Sequence, residues 1–121
     1  RNVAAGFGAE VVKWRYEKRY PATVNSTQET EFAAHAAASL VGLENVNRNP
    51  TPAMGSEDFA WMLLARPGCY IWIGNGDGAG SCMVHNPGYD FNDEILPLGA
   101  SYWATLVEQQ LAREAMPQAA E

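Results

Sequence analysis

The chain has 121 residues, one domain's worth and enough to bury a core. Its 8 basic and 14 acidic residues leave a net charge of −6, which argues against nucleic acid and anionic membrane as partners. No apolar run approaches the ~18 residues of a membrane span, and no signal-peptide pattern opens the chain.

Arg1 opens the chain without an initiating Met, inside what reads as a helix tail ended by Gly6 and Gly8, so a fragment or excised domain is expected. Residues 10–17 then alternate, with Val12, Trp14 and Tyr16 on one face and Val11, Lys13, Arg15 and Glu17 on the other. Period two with charges outward predicts a half-exposed antiparallel strand. Pro21 stops it, and 19–25 reads as a connector. Ser26 with Glu29 three residues on is a capping box, predicting a helix to about Val41 closed by Gly42. Its apolar stripe is Phe32, Ala33, Ala36, Ala37, Leu40 and Val41. His35 falls on the opposite, polar face and is given no chemistry. The asparagines and prolines of 43–53 predict a loop with a short strand around Val46.

Ser56 reads as the N-cap of the next helix, and Glu57 and Asp58 in its first turn suit the positive end of the helix dipole. Phe59, Ala60, Met62 and Leu63 form its expected buried face, and Arg66-Pro67-Gly68 ends it. The apolar run Cys69–Ile73 predicts a strand buried on both faces. Gly74–Gly80, with four glycines in seven residues, reads as a loop. Pro97 stands near the start of the last helix, expected to reach about Ala112. Leu98, Tyr102, Leu106 and Val107 should face inward, with Trp103 and Leu111 on the flank; Gln118–Glu121 should fray. The order β-α-(β)-α-β-loop-α predicts an α/β fold, helices covering a sheet.

Chemistry concentrates in the segment Met83–Glu94, which follows the glycine-rich loop and holds His85. A lone histidine before a proline is more often a hydrogen-bonded loop residue than a ligand, and a catalytic metal needs about three protein donors. Placement favours the ligand reading, because functional groups in open α/β sheets gather beyond the carboxyl ends of strands. Asp90, Asp93 and Glu94 could orient the ring, although turn and helix-dipole chemistry also explains them. No GxxxxGK[ST], dinucleotide-type GxGxxG or GxSxG pattern is present. Cys69 and Cys82 lack ligand-type spacing and read as thiols of a reducing, cytoplasmic compartment.

Met54-Gly55-Ser56-Glu57-Asp58-Phe59, Arg66-Pro67-Gly68, Gly74-Asn75-Gly76, His85-Asn86-Pro87, Phe91-Asn92-Asp93-Glu94, Leu96-Pro97-Leu98-Gly99 and Tyr102-Trp103 occur in this order. Together they resemble the carboxyl-terminal part of the metal-dependent aminoacylase and hippurate hydrolase family. That family includes indole-acetyl-amino acid hydrolases and is related to carboxypeptidase G. The resemblance implies the carboxyl-terminal part of a zinc-peptidase-like three-layer α/β domain over 20–121. Residues 1–19 would be the last helix and strand of an inserted α+β lid. It implies cleavage of the amide bond of N-acyl amino acids or short peptides at a centre of two divalent metal ions, whether zinc, manganese, cobalt or nickel. His85 would be the last metal ligand, Asn86 its outer support, and Gly55, Ser56, Glu57 and Asp58 would line the substrate cavity. The family's remaining ligands and catalytic glutamate have no counterpart here, so no catalytic residue is assigned. The isolated chain is expected to be inactive, with metal absent or weakly bound, and the intact protein to be a homodimer. The alternative is a stand-alone assembly domain pairing through an edge strand at 10–17.

Overall fold

The structure, a computed structural model, describes residues 1–111. In order they form α1 (Asn2–Gly6), α2 (Thr27–Val41), a 3-10 turn at Leu43–Asn45, α3 (Phe59–Ala65), a second 3-10 turn at Asp93–Ile95, and α4 (Leu96–Gln110). The expected limit of the last helix at Ala112, and the terminal stretch Gln118–Glu121, lie outside the described residues.

Helices α2 and α4 pack against each other, and the sequence shows why they can. Alanine at 33 and 36 leaves no bulk on that face of α2, so both are buried and a large aromatic from α4, Tyr102, is buried with them. Gln109 of α4 reaches Ser39 of α2 at 3.4 Å. Gly42 closes α2 at φ 85, in the left-handed region where a Cβ is costly. Pro97 sits in the first turn of α4, where its missing N–H has no partner to lose. Among the described residues the remaining buried side chain, Ala60, belongs to α3. His35 is exposed, as expected.

Three local expectations fail for identifiable reasons. Ser26 is the N-cap of α2, but its hydroxyl does not close a capping box; it accepts the Gly68 N–H at 3.1 Å instead. Helix α3 starts at Phe59, later than the Ser56 cap predicts, because Glu57 turns its own Oε1 to the Phe59 N–H at 3.2 Å. Val46 follows a 3-10 turn rather than forming a strand.

The larger correction concerns the sheet. Among the described residues there is no strand, at 10–17 or at 69–73. A strand exists only through a ladder with a neighbour, and no backbone–backbone bond joins residues 10–25 to another described segment. The predicted alternation is nonetheless physical. Trp14 and Tyr16 stack with ring centres 6.0 Å apart and planes at 17°, while Glu17 pairs with Arg15 and Arg19 on the other side. The 69–73 run is met on one side by 25–26: Asn25 donates to the Tyr70 carbonyl at 2.9 Å and accepts its N–H at 2.8 Å, and the Ser26 N–H bonds the Gly68 carbonyl at 2.9 Å. Trp72 and Ile73 are exposed, so the expected burial on both faces is not met. Met62, expected inside α3, is exposed too.

The result is much uncovered surface. The accessible area is 10954 Å², against about 6,400 Å² expected for a folded monomer of 13.2 kDa. Among the described residues no helix is long and apolar enough to cross a membrane.

Candidate functional site

The loop from Asn75 to Asn92 presents His85, and asparagine chemistry closes its neck. The Asn75 carboxamide accepts the Asn92 N–H at 2.9 Å and donates to the Asp90 carbonyl at 2.8 Å. Just inside, the Asp90 N–H bonds the Gly80 carbonyl at 3.0 Å. Only glycine fits there: Gly80 has φ +86, and a Cβ would meet the Asp90 Cβ at 2.6 Å.

At the tip, two β-turns meet at Asn86. The Asn86 N–H bonds the Met83 carbonyl at 3.2 Å, and the Tyr89 N–H bonds the Asn86 carbonyl at 3.0 Å. His85 is the third residue of the first turn and has φ 70, the sign a type II turn requires and glycine usually supplies. Pro87 is the second residue of the next turn, which its fixed φ suits, and Asn86 Oδ1 takes the Gly88 N–H at 2.9 Å. His85 is exposed, and its ring makes no hydrogen bond among the described residues. A residue held in a sparsely populated backbone region, with its side chain unspent, is a common mark of function.

Among the described residues no hydrogen bond joins the carboxylates of Asp90, Asp93 or Glu94 to the His85 ring, and the bonds of Asp90 and Glu94 run through their backbones. Asp90 works through its backbone at the neck, and Asn92 Oδ1 takes the Glu94 N–H at 3.0 Å, capping the 3-10 turn that leads into α4.

Gly55–Asp58 precede α3 in an aromatic setting. Glu57 Oε2 accepts the Tyr70 hydroxyl at 3.0 Å, and Phe59 and Tyr70 pack at 5.6 Å. That hydrogen bond, with some desolvation and the carboxylate's charge, pushes the Tyr70 phenol above its ordinary value. The neighbouring Asp58 carboxylate does the same to Tyr20. Tyr20 in turn packs on Trp61 at 6.4 Å. Ser56 lines an open cleft of about 620 Å³ with Tyr16–Pro21, Trp61 and Leu64. No hydrogen bond joins His85 to 55–58 among the described residues.

Sequence reasoning did not single out Asn75, Tyr20 or Tyr70 for these parts. Asn75 could have been found, because an asparagine between two glycines has little packing to do and a carboxamide suited to closing a loop. The tyrosine partners carry no such local signal.

As to a metal ion, His85 fits as one donor, exposed and with an unengaged ring. The described residues contain no group of three or more His, Cys, Asp or Glu placed to hold an ion. Among the described residues, then, no set of donors reaches the about three that a catalytic metal needs.

The family model described as Peptidase family M20/M25/M40 matches residues 3–109. IAA-amino acid hydrolase ILR1-like 4 of Arabidopsis thaliana is 35% identical over 94 residues, covering 76% of this chain and 21% of the relative. Hippurate hydrolase of Campylobacter jejuni is 34% identical over 91 residues, 75% of this chain and 23% of the relative. N-acetylcysteine deacetylase of Bacillus subtilis is 31% identical over 105 residues, 87% and 26%. The chain thus spans about a quarter of the length of these curated relatives. No solved structure matches.

Proposed function

Because the chain belongs to peptidase family M20/M25/M40, we propose that it is the carboxyl-terminal part of a metal-dependent amidohydrolase that cleaves the amide bond of N-acyl amino acids or short peptides. The observation that carries this reading is the His85 turn. An exposed imidazole stands at φ 70 on a loop whose neck is closed by hydrogen bonds, with no structural task for its ring among the described residues.

In this reading His85 donates one ring nitrogen to a divalent ion, and other segments of the intact protein supply the remaining donors. When bound, such an ion lowers the pKa of its water toward neutrality. Asn86 supports the ligand through the turn, since its N–H closes the backbone on Met83. Gly55–Asp58 line the substrate cavity, with Glu57 steadied by Tyr70. Residues 1–19 belong to a lid and 20–121 to the catalytic domain. Segments 10–17 and 69–73 become strands of an α/β fold when their ladder partners are present. The exposed Val12, Trp14 and Tyr16 suit coverage by other parts of a homodimer.

The test is His85→Ala in the intact protein. The expected result is weaker metal retention and loss of most hydrolysis of an N-acyl amino acid such as N-benzoylglycine. Unchanged metal content with wild-type turnover would sink the assignment.

A further inference from the structure

The His85 loop is held at its neck and not along its length. Between the glycines its hydrogen bonds are local, such as the Ser81 N–H to the Gly78 carbonyl at 3.1 Å and the two turns at Asn86. The Asp90 N–H to Gly80 is the one longer tie within it among the described residues. The position of the imidazole relative to the rest of the fold therefore depends on what fixes the two ends. Asn75 does this with one side chain, accepting from Asn92 at 2.9 Å and donating to Asp90 at 2.8 Å. Asn92 adds a longer contact from its own amide to the Asn75 carbonyl, 3.4 Å.

We propose that Asn75 is the positioning residue that aims His85. The proposal rests on the reading of His85 as a metal ligand and adds what places it. The chemistry calls for asparagine: one planar group must accept and donate at once. Aspartate keeps the acceptor toward the Asn92 N–H but sets a charge against the Asp90 carbonyl. Alanine does neither. Glutamine adds a methylene to the reach. A donor displaced by an ångström costs a metal site affinity as well as rate, because ligand geometry is set by the groups behind the ligands.

The experiment compares Asn75→Asp, Asn92→Ala and His85→Ala in the intact hydrolase. Cobalt(II) affinity is measured by competition with a chelator, alongside the visible absorption bands of bound cobalt and kcat and KM for N-benzoylglycine. Asn75→Asp is expected to weaken cobalt binding about 10–100-fold, to shift the cobalt bands, and to lower kcat more than it raises KM. Asn92→Ala keeps both short bonds of Asn75, loses its own 3.4 Å contact and the bond to the Glu94 N–H beyond the neck, and is expected to change affinity less than about threefold. If Asn75→Asp keeps wild-type affinity and bands while His85→Ala loses both, the positioning role is wrong and the ligand assignment stands. If His85→Ala also binds cobalt and turns over normally, the ligand assignment itself is wrong. Equal losses in Asn75→Asp and Asn92→Ala mean general loosening of the loop and overturn the proposal. Should Asn75→Asp not accumulate folded, Asn75→Ser, which retains an acceptor, is judged by the same criteria.

Discussion

Replacing His85 by glycine and by alanine separates its backbone role from its ring. Both variants remove the imidazole, so both lose whatever metal binding contributes, and that loss cancels in the comparison. What differs is the backbone. At φ 70 an L-residue carries strain of about 1–2 kcal/mol that glycine does not. Glycine loses about 0.4–1 kcal/mol of this through its more flexible unfolded chain. The net expectation is that His85→Gly is more stable than His85→Ala by about 0.5–1 kcal/mol. The glycine variant therefore has the higher urea midpoint, by the stability difference divided by the m-value of the protein. The assay is a urea titration of both variants in the intact protein, with turnover of N-benzoylglycine measured in parallel and expected to be equally low. If His85 instead sat at negative φ, the flexibility effect alone would remain and alanine would be the more stable. A reversed order of midpoints therefore refutes the turn geometry, whatever becomes of the activity.

Asn25→Ala removes both bonds to the Tyr70 backbone and is expected to cost about 1–2 kcal/mol in a denaturant titration, from two exposed hydrogen bonds; a loss under about 0.3 kcal/mol would mean the 25–26 stretch does not hold the 69–73 segment. The alkaline limit of stability should reflect Tyr70. Its folded pKa is raised above the unfolded value near 10, so its contribution is fully present below pH 10 and is lost as pH rises from there through the folded pKa. Tyr70→Phe should flatten that decline, and an unchanged profile would show that the Glu57 contact contributes nothing.

Helices were legible in this sequence where their ends are marked locally. Gly42 and Pro97 act within the turn that they end or begin, and α2 and α4 lie close to where Ser26, Gly42 and Pro97 put them even though the Ser26 hydroxyl makes no cap. Non-local partners were not legible. Nothing in the spacing of Ser26 and Glu29 announces that the serine hydroxyl is needed at Gly68. Nor does the apolar character of Cys69–Ile73 say which backbone is to pair with it. Binary pattern fixes which side chains share a face, as the Trp14–Tyr16 stack shows, but a ladder needs a second strand. The candidate site divides in the same way. The turns around Asn86 follow from Pro87, Gly88 and asparagine chemistry in a few consecutive residues, whereas the tyrosine that engages Glu57 comes from another part of the chain.

This division bears on how the proposed share of a site can be well formed on a sparsely buried scaffold. The His85 loop depends on asparagine amides, two glycine-tolerant bends and a proline turn, all within 75–92, and none of these needs a sheet. In the proposed α/β enzyme the scaffold does need one: Trp72 and Ile73 stay exposed beside a backbone that Asn25 satisfies on one side. Covering those side chains would release apolar area worth about 25 cal/mol per Å². It would also bring neighbouring strands to the end of the segment from which the loop departs. In the proposed enzyme, forming the sheet and assembling the metal donors are then one event. The local hydrogen bonds shape the loop beforehand, and sheet closure carries that shaped loop, with His85 at its tip, to the other ligands.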